Sequence, residues 1–542
     1  MSVSGAHPHG RLPGAHGRLP ALGVVAAVAA IAAAAIALFA GSSGHRAEAG
    51  APHVRPATAA AHTPGAEHPG VVIGGRPGGQ PPNIVFVLTD DLSMNLLRFM
   101  PAVQALERRG MTFGNYFVSD SLCCPSRASI FTGDYPHDTG VFTNVGHDGG
   151  MTAFWSHHDQ NRTFNIALQR AGYRTAMMGK YLNGYLEPHG RDPIPHSRIP
   201  PGWNEWDVAG WGYPEYDYRM NIDGSVYHFG HAPRDYLTYV LARRGVRFID
   251  RATASNTPFF LELATFSPHF PYTPAHRDRR LFRGLTAPHP PSFDVLPTDP
   301  PAWLAGRHPF TDRQRHQIDR VFRLRAQDVQ SIDRMIRQVI GALARNHVLH
   351  NTYIVFSSDN GLHTGEHRLM PGKLTAFDTD IHVPLVVAGP GVPPGSVSSA
   401  VAENVDLAET FAGMGGTTLA GDGHSLMSLL SGAPAIGWRN AALIEHHGPA
   451  TSIFDPDRQS DESGNPTTYE AMRTPDLLYV EYTDGERELY DLRTDPFELH
   501  NIAPIVPAAR LERLHAQLAR LEICHGGAAC WAAGHVAGPS GA

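Results

Sequence analysis

The alternation of apolar and polar positions changes sharply at residue 83. There NIVFVLT (83–89) begins, a short apolar run of β-branched and aromatic residues that predicts a buried strand. MPAVQALERRG (100–110) spaces its apolar residues as an amphipathic helix and stops at Gly110. TFGNYFV (112–118) predicts a strand, 162–173 a helix and RTAMMG (174–179) a strand. A helix follows over 234–253, a strand over 258–266 and a long mixed-charge helix over 313–346. NTYIVFSSD (351–359) and HVPLVVAG (382–389) again read as buried strands. Buried strands alternating with amphipathic helices predict an α/β fold, a mostly parallel sheet with helices on both faces. Past residue 430 the pattern turns antiparallel, with DLLYVEY, GERELYDL and a helix near 508–523. The expected organisation is a large α/β domain over 83–430, a smaller α+β subdomain over 431–530 and a tail over 531–542.

Ahead of residue 83 the texture is different. Ala21 to Ala40 is an uncharged run of twenty residues, eleven of them Ala, preceded by Arg11 and Arg18. A spanning helix needs roughly 20 apolar residues. A signal peptide has a shorter apolar core and a small-x-small cleavage site, which Ala47-Glu48-Ala49 offers. Residues 1–40 therefore read as a signal peptide or a membrane anchor, and both place the rest of the chain outside the cytoplasm. Residues 41–82, rich in Ala, Gly, Pro and His, read as a disordered linker.

Composition narrows the classes. A hydrophobic content of 42% excludes wholesale disorder, and a net charge of −7 over 542 residues carries no basic footprint for nucleic acid. With 32 histidines, the default for any single one is a surface or loop residue. There are four cysteines. Cys524 and Cys530 are spaced to close a small loop in an exported protein, or remain two free thiols. Cys123 and Cys124 are adjacent, and a dipeptide strains to reach disulfide geometry.

Two acidic pairs end apolar strands: Asp90-Asp91 and Asp359-Asn360. In an open α/β sheet the chemistry lies at the carboxyl ends of strands. If those two strands are neighbours, four oxygen side chains converge, a set suited to a hard cation such as Ca²⁺ or Mg²⁺. Alone, each pair reads as turn residues or helix caps. Between them lies SLCCPSRASIFTG (121–133), where Pro125 suits the first helical position and Gly133 the stop. Cys123 then sits at a helix entry, where free N–H groups favour an oxyanion. Arg127 follows one turn in with a fork of donors. Unmodified, Cys123 is a candidate thiolate nucleophile.

C-x-P-S-R followed by a helix and T-G resembles the signature of the type I sulfatases. The likeness covers nearly all of 83–505: TDD (89–91), LCCPSRASIFTG, GKYLNGY (179–185), SPHFPYTP (267–274), SDNGLHTGEH (358–367), GKLTAFD (372–378) and ELYDLRTDPFELHNIA (488–503). CCPSRAS, GKYLN and SDNGxHTG look most like the N-acetylglucosamine-6-sulfatase and extracellular endosulfatase branch. The resemblance implies an alkaline-phosphatase-like fold and conversion of Cys123 to Cα-formylglycine by a formylglycine-generating enzyme. It implies Ca²⁺ (Mg²⁺ the alternative) held by Asp90, Asp91, Asp359, Asn360 and residue 123. Hydration of the aldehyde would give one hydroxyl to attack sulfur and a second to expel sulfate. Arg127, Lys180, His269 and Lys373 form the cationic set, with Lys180 and His269 on sulfate and Lys373 with His269 at the leaving group. Fixed cations there stabilise the growing charge of the transition state.

One departure stands out. Many arylsulfatases carry a histidine two residues after the first lysine, where this chain has Leu182. His363 is the candidate for assisting sulfate release, and His137 a weaker one. Cys124, at the wildcard position, reads as a small buried residue. The expected substrates are sulfated sugars or aryl sulfates. The alternatives are a formylglycine-dependent phosphonate or phosphodiester hydrolase, and a catalytically silent sulfated-glycan binding protein.

Overall fold

A computed structural model describes residues 80–186 and 198–536. The expected leader, most of the expected linker and the last six residues lie outside the described residues.

Ten strands form the main sheet: β1 (Asn83–Thr89), β2 (Met111–Phe117), β3 (Arg174–Lys180), β4 (Glu205–Gly210), β5 (Tyr218–Ile222), β6 (Ser225–Phe229), β7 (Phe259–Ala264), β8 (Thr352–Ser358), β9 (Leu385–Ala388) and β10 (Ser396–Glu403). Their order is β10-β2-β9-β8-β1-β7-β3-β4-β5-β6. The block β8-β1-β7-β3-β4 is parallel throughout, while β9, β5 and β6 run antiparallel to their neighbours. All seven residues of β1 are buried. Ile84, Phe86 and Leu88 enter one apolar cluster and Val85 and Val87 another, so the strand's period of two feeds a core on each face.

Helices cover both faces: α1 (Pro101–Arg109), α2 (Cys123–Thr132), α3 (Leu237–Ala254), α4 (Asp312–Arg345) and α5 (Asp406–Met414). Phe131 of α2 and Phe411 of α5 join the Phe86 side, whereas Leu241 of α3 and Phe322, Ile332 and Ile336 of α4 join the Val85 side. The long α4 starts at a capping box, Thr311 with Gln314, which satisfies two orphan N–H groups at its entry. A second, antiparallel sheet follows: β11 (Ala442–His446), β12 (Tyr469–Arg473), β13 (Leu477–Tyr482) and β14 (Arg487–Asp491). Helix α6 (Ala508–Glu522) buries Leu514, Leu518 and Leu521 in a third cluster that also holds Leu443, Tyr479 and both cysteines of the Cys524–Cys530 disulfide.

The predicted elements from β1 to β9 appear within a few residues. The helix expected over 162–173 shortens to Phe164–Arg170, and the one expected from 234 begins at Leu237. The strands β4, β5, β6, β10, β11 and β12 had no counterpart in the sequence reading. The reason is plain in β6 and the start of β10, which are largely exposed edge segments without a buried apolar run to mark them.

At the carboxyl end of the parallel block the backbone is tight. Gly179, in β3, has φ +109, and a Cβ there would lie 1.8 Å from the Ala264 carbonyl oxygen on β7. Both the dihedral and the space require glycine. Gly179→Ala is expected to cost about 3 kcal/mol through strain and overpacking, measured as a lower urea midpoint.

Two buried histidines set an acid limit on stability. Burial, with nearby His363, lowers the His367 pKa to about 3, and burial alone lowers that of His446 to about 3. An unfolded histidine titrates near ~6.5, so between those values the unfolded chain binds more protons and stability is lost as pH falls. The limiting slope is about 1.4 kcal/mol per pH unit for each histidine. Denaturation midpoints at pH 7.5 and 5.0 should therefore differ, and His367→Asn should narrow the difference.

Candidate active site

Chain direction and register place the site. Thr89 and Ser358 are paired partners at the ends of β1 and β8, so Asp90, Asp91, Asp359 and Asn360 emerge side by side. Leu92 N–H donates to Ser358 Oγ at 2.9 Å and Asp91 N–H to Asp359 Oδ1 at 3.2 Å, locking one strand end to the other. Helix α2 points its first turn at this corner. It begins at Cys123 with Leu122 extended as its cap, so Pro125 is the third helical residue and not the first. That position still has no intrahelical acceptor, which is why proline is tolerated. Cys124 is buried, as expected of a small wildcard residue, and its N–H donates to Asn144 Oδ1 at 3.0 Å.

Cys123 is fully buried among charges. Its Sγ lies 3.1 Å from Asp90 Oδ1, 3.9 Å from Asp91 Oδ1 and 2.9 Å from Lys373 Nζ. Lys373 Nζ also donates to Asp91 Oδ1 at 2.6 Å, and Lys180 Nζ to Asp90 Oδ2 at 2.6 Å. Arg127 donates from Nε to Asp359 Oδ2 at 2.8 Å and from Nη1 to the Lys180 carbonyl at 3.0 Å. Its Nη2 is buried without a partner. His269, after β7, donates from Nδ1 to the Phe270 carbonyl at 2.7 Å and places Nε2 against Asp457 and 3.6 Å from Asp91 Oδ2.

The electrostatics follow from burial and these partners. Burial raises the Cys123 thiol well above its ordinary range, and Asp359, Asp457 and Asp90 add to that. Burial opposes ionisation of Asp359 too, but Arg127 and Lys180 bring it below the usual carboxylate range. Burial would lower His269, yet Asp91 and Asp457 raise it to about 9. Lys373 is raised against its own burial by Asp457 and Asp91. The cations are thus held charged, whereas an unmodified Cys123 is held as a neutral thiol. That corrects the expectation of a thiolate nucleophile, because a thiol in this setting carries no nucleophilic charge.

The donor set can be tested for a metal. Asp90, Asp91, Cys123 and His269 bring one ligand atom each within 4.8 Å of one another. His269 has both ring nitrogens on acceptors, so it presents N–H groups and no lone pair. Asn360 donates from Nδ2 to Asp91 Oδ1 at 2.7 Å, leaving its Oδ1 buried with no partner. An orphan amide oxygen beside three carboxylates is a hard-oxygen set of the kind Ca²⁺ or Mg²⁺ takes.

Two sequence candidates lie elsewhere. His363 has Nδ1 on Asp380, 3.0 Å from each carboxylate oxygen, and Nε2 on the Ser463 carbonyl at 2.9 Å. Its backbone pairs with Gly372, so it braces the segment that carries Lys373. His137 has Nδ1 on Glu445 at 2.9 Å and Nε2 on the Cys524 carbonyl at 2.7 Å. Neither ring has a nitrogen free to assist sulfate release. Leu182, at the departed position, is buried in the same apolar cluster as Tyr181 and Tyr185. The residues that sequence reasoning missed are Asp457, Asn144 and Arg325. Asp457 Oδ1 lies 3.0 Å from Lys373 Nζ. Arg325, buried in α4, donates to the Asp91 carbonyl. No motif marked them.

In protein whose Cys123 is unconverted, iodoacetamide at pH 7.5 should label neither Cys123 nor Cys124, and both after unfolding. Appreciable native labelling of Cys123 would contradict the burial and the raised thiol pKa.

The fold is shared with solved structures of alkaline-phosphatase-like sulfatases and their neighbours. One, described as a complex with its substrate D-glucosamine-2-N,6-O-disulfate, has a TM-score of 0.66 at 23% identity, covering 82% of this chain and 97% of its own. A phosphonate monoester hydrolase of Agrobacterium radiobacter has a TM-score of 0.61 at 21% identity, covering 80% and 94%. A family model described as Sulfatase matches residues 82–417, and one described as N-sulphoglucosamine sulphohydrolase, C-terminal, matches 365–523. The chain belongs to the sulfatase family and is a sulfatase enzyme. It is 34% identical over 484 residues to the N-acetylglucosamine-6-sulfatase of Homo sapiens, covering 84% of this chain and 87% of that protein. It is 34% identical over 379 residues to the extracellular sulfatase SULF-1 homolog of Drosophila melanogaster, covering 68% of this chain and 33% of that one.

Proposed function

We propose that this sulfatase cleaves sulfate esters of sulfated sugars, glucosamine 6-sulfates in glycosaminoglycans foremost, with formylglycine at position 123 and a bound Ca²⁺. The observation that carries this is the convergence on buried Cys123 of an oxygen-rich ligand corner and a set of fixed cations. The relatives named for N-acetylglucosamine 6-sulfate support the choice of sugar. Formylglycine would supply, as its hydrate, one hydroxyl to attack sulfur and another to release sulfate. Ca²⁺ held by Asp90, Asp91, Asp359, Asn360 and residue 123 would lower the charge cost of that hydroxyl's ionisation.

The remaining roles belong to the chain itself. Asp90, Asp91, Asp359 and Asp457 face Arg127, Lys180, Lys373 and His269 in a nearly balanced set. A divalent ion tips that balance positive, which favours an anionic substrate. The unpartnered Arg127 Nη2 is a donor available to a sulfate oxygen. Lys180 and His269 would hold sulfate oxygens, and Lys373 with His269 would donate to the departing alcohol. Their charge is fixed before the reaction, so it lowers the barrier with no reorganisation at the transition state. His363 acts in this scheme only by bracing Lys373.

Secretion or extracytoplasmic anchoring fits the Cys524–Cys530 disulfide, since disulfides persist in oxidising compartments. No helix among the described residues is long and apolar enough to cross a membrane.

The test uses protein co-expressed with a formylglycine-generating enzyme. Mass analysis of the tryptic peptide 110–127 is expected to show Cys123 converted to the aldehyde and Cys124 intact. Sulfate release from N-acetylglucosamine 6-sulfate should exceed phosphate release from the matching phosphate ester. EGTA should abolish it and Ca²⁺ restore it, and Cys123→Ala should lower kcat on the order of 10⁴-fold or more. Faster turnover of the phosphate or a phosphonate ester would move the assignment to that class. Conversion without turnover of any ester would leave a glycan-binding protein.

A further inference from the structure

Asp457 belongs to none of the motifs that announce the site. It lies in the connection between β11 and β12, a segment of the second sheet, yet it is buried against the cluster around Cys123. Its two oxygens are used differently. Oδ1 receives both Lys373 Nζ, at 3.0 Å, and His269 Nε2. Oδ2 receives Asn144 Nδ2 at 2.7 Å, and the Asp457 N–H donates to Asp455 Oδ1 at 2.9 Å. Asn144 in turn donates to Asp455 Oδ1 at 3.0 Å and accepts from Cys124 N–H at 3.0 Å. A chain of hydrogen bonds therefore ties Asp457 to the first turn of the helix that carries the nucleophile.

The two side chains on Oδ1 are the two assigned above to the leaving group. One anionic oxygen bonded by both is the arrangement that a departing alkoxide oxygen needs. We propose that Asp457 is a positioning residue for alcohol departure: it keeps Lys373 and His269 converged on one point and cedes that point to the bridging ester oxygen of the substrate. This rests on the sulfatase reading above. In the step it serves, the hydroxyl oxygen of the nucleophile, its proton released to solvent beforehand, forms its bond to sulfur and the bond from sulfur to the bridging oxygen breaks. The electron pair of the broken bond goes to the bridging oxygen. One proton passes to it from Lys373 or His269, leaving a neutral amine or imidazole and a neutral alcohol, with no change of oxidation state. Asn144 holds the other oxygen and so keeps the carboxylate beside the point it cedes.

A residue with this role matters in proportion to how badly the alcohol needs a proton. A sugar alkoxide is a poor leaving group, while 4-nitrophenolate departs without help. The experiment compares mature wild type, Asp457→Ala and Asp457→Asn on N-acetylglucosamine 6-sulfate and on 4-nitrophenyl sulfate. Asp457→Ala is expected to lower kcat on the sugar sulfate about 100-fold, the scale of general-acid assistance, and to lower it at least about tenfold less on the nitrophenyl ester. Asp457→Asn should fall between, because an amide oxygen still accepts from both donors. Equal losses on the two esters, in either variant, would overturn the proposal and mark Asp457 as structural. A lower KM with unchanged kcat on both would also overturn it, because Asp457 would then be only a competing anion. If wild type hydrolyses neither ester, the sulfatase reading itself fails, an outcome separate from either of these.

Discussion

The parallel pairing of β1 with β8 is the constraint on which the site depends. Seven consecutive residue pairs, from Asn83 with Thr352 to Thr89 with Ser358, fix the register, and both strands are buried along their length. A slip of one residue would turn the slipped strand's side chains to the other face of the sheet. It would also separate Asp90 and Asp91 from Asp359 and Asn360. The strand ends are clamped as well, through Ser358 Oγ and Asp359 Oδ1 receiving backbone N–H groups from Leu92 and Asp91. The same parallel block ends β3 in Lys180 and leads from β7 into the segment that carries His269. Four elements distant in sequence thus deliver charge to one corner by obeying one sheet geometry.

Concentrating that much charge out of water carries a large desolvation penalty unless each group is paired and hydrogen-bonded. Here the pairings form a closed network. Arg127 holds Asp359, Lys180 holds Asp90, and Lys373 joins Asp91 to Asp457. Two of the atoms left over are informative. Arg127 Nη2 and Asn360 Oδ1 are buried without partners, one a donor and one an acceptor. A donor left among carboxylates suits an anion, and an acceptor left beside them suits a cation. Those two vacancies in the hydrogen-bond pattern match the two species the proposed reaction requires at the same corner, a sulfate ester and a hard divalent ion.

Much of this was legible in the sequence because it is local. TDD and SDN follow apolar strands directly, and CCPSR opens a helix, so each motif carries its own structural address. The architecture was legible for the same reason, from runs such as IVFVL and YIVFS that only a two-sided sheet buries. The edge strands β6 and β10 were not, since an exposed edge needs no apolar run. Asp457 and Asn144 were not legible either. Both sit in polar loops whose local pattern reads as turn, and their meaning comes from what a distant chain segment brings against them. His363 failed in the opposite direction: it lies inside a recognised motif, but Asp380 and the Ser463 carbonyl take both its nitrogens. Proximity in sequence to the ligand pair gave it a role that its hydrogen bonds assign to bracing.

The second sheet gains meaning from the same network. Its strands bury an ordinary apolar face beneath α6, and nothing in β11 to β14 resembles catalytic machinery on its own. Yet the connection from β11 to β12 supplies Asp457, the anion that raises Lys373 most strongly and shares in raising His269. Without it, Lys373 and His269 would keep Asp91 as a nearby anion but lose the shared acceptor that holds them together. The second sheet is therefore part of the electrostatic frame of the site. A truncated chain ending after the large sheet would keep the residues of every recognised motif through GKLTAFD while losing the carboxylate that Lys373 and His269 share.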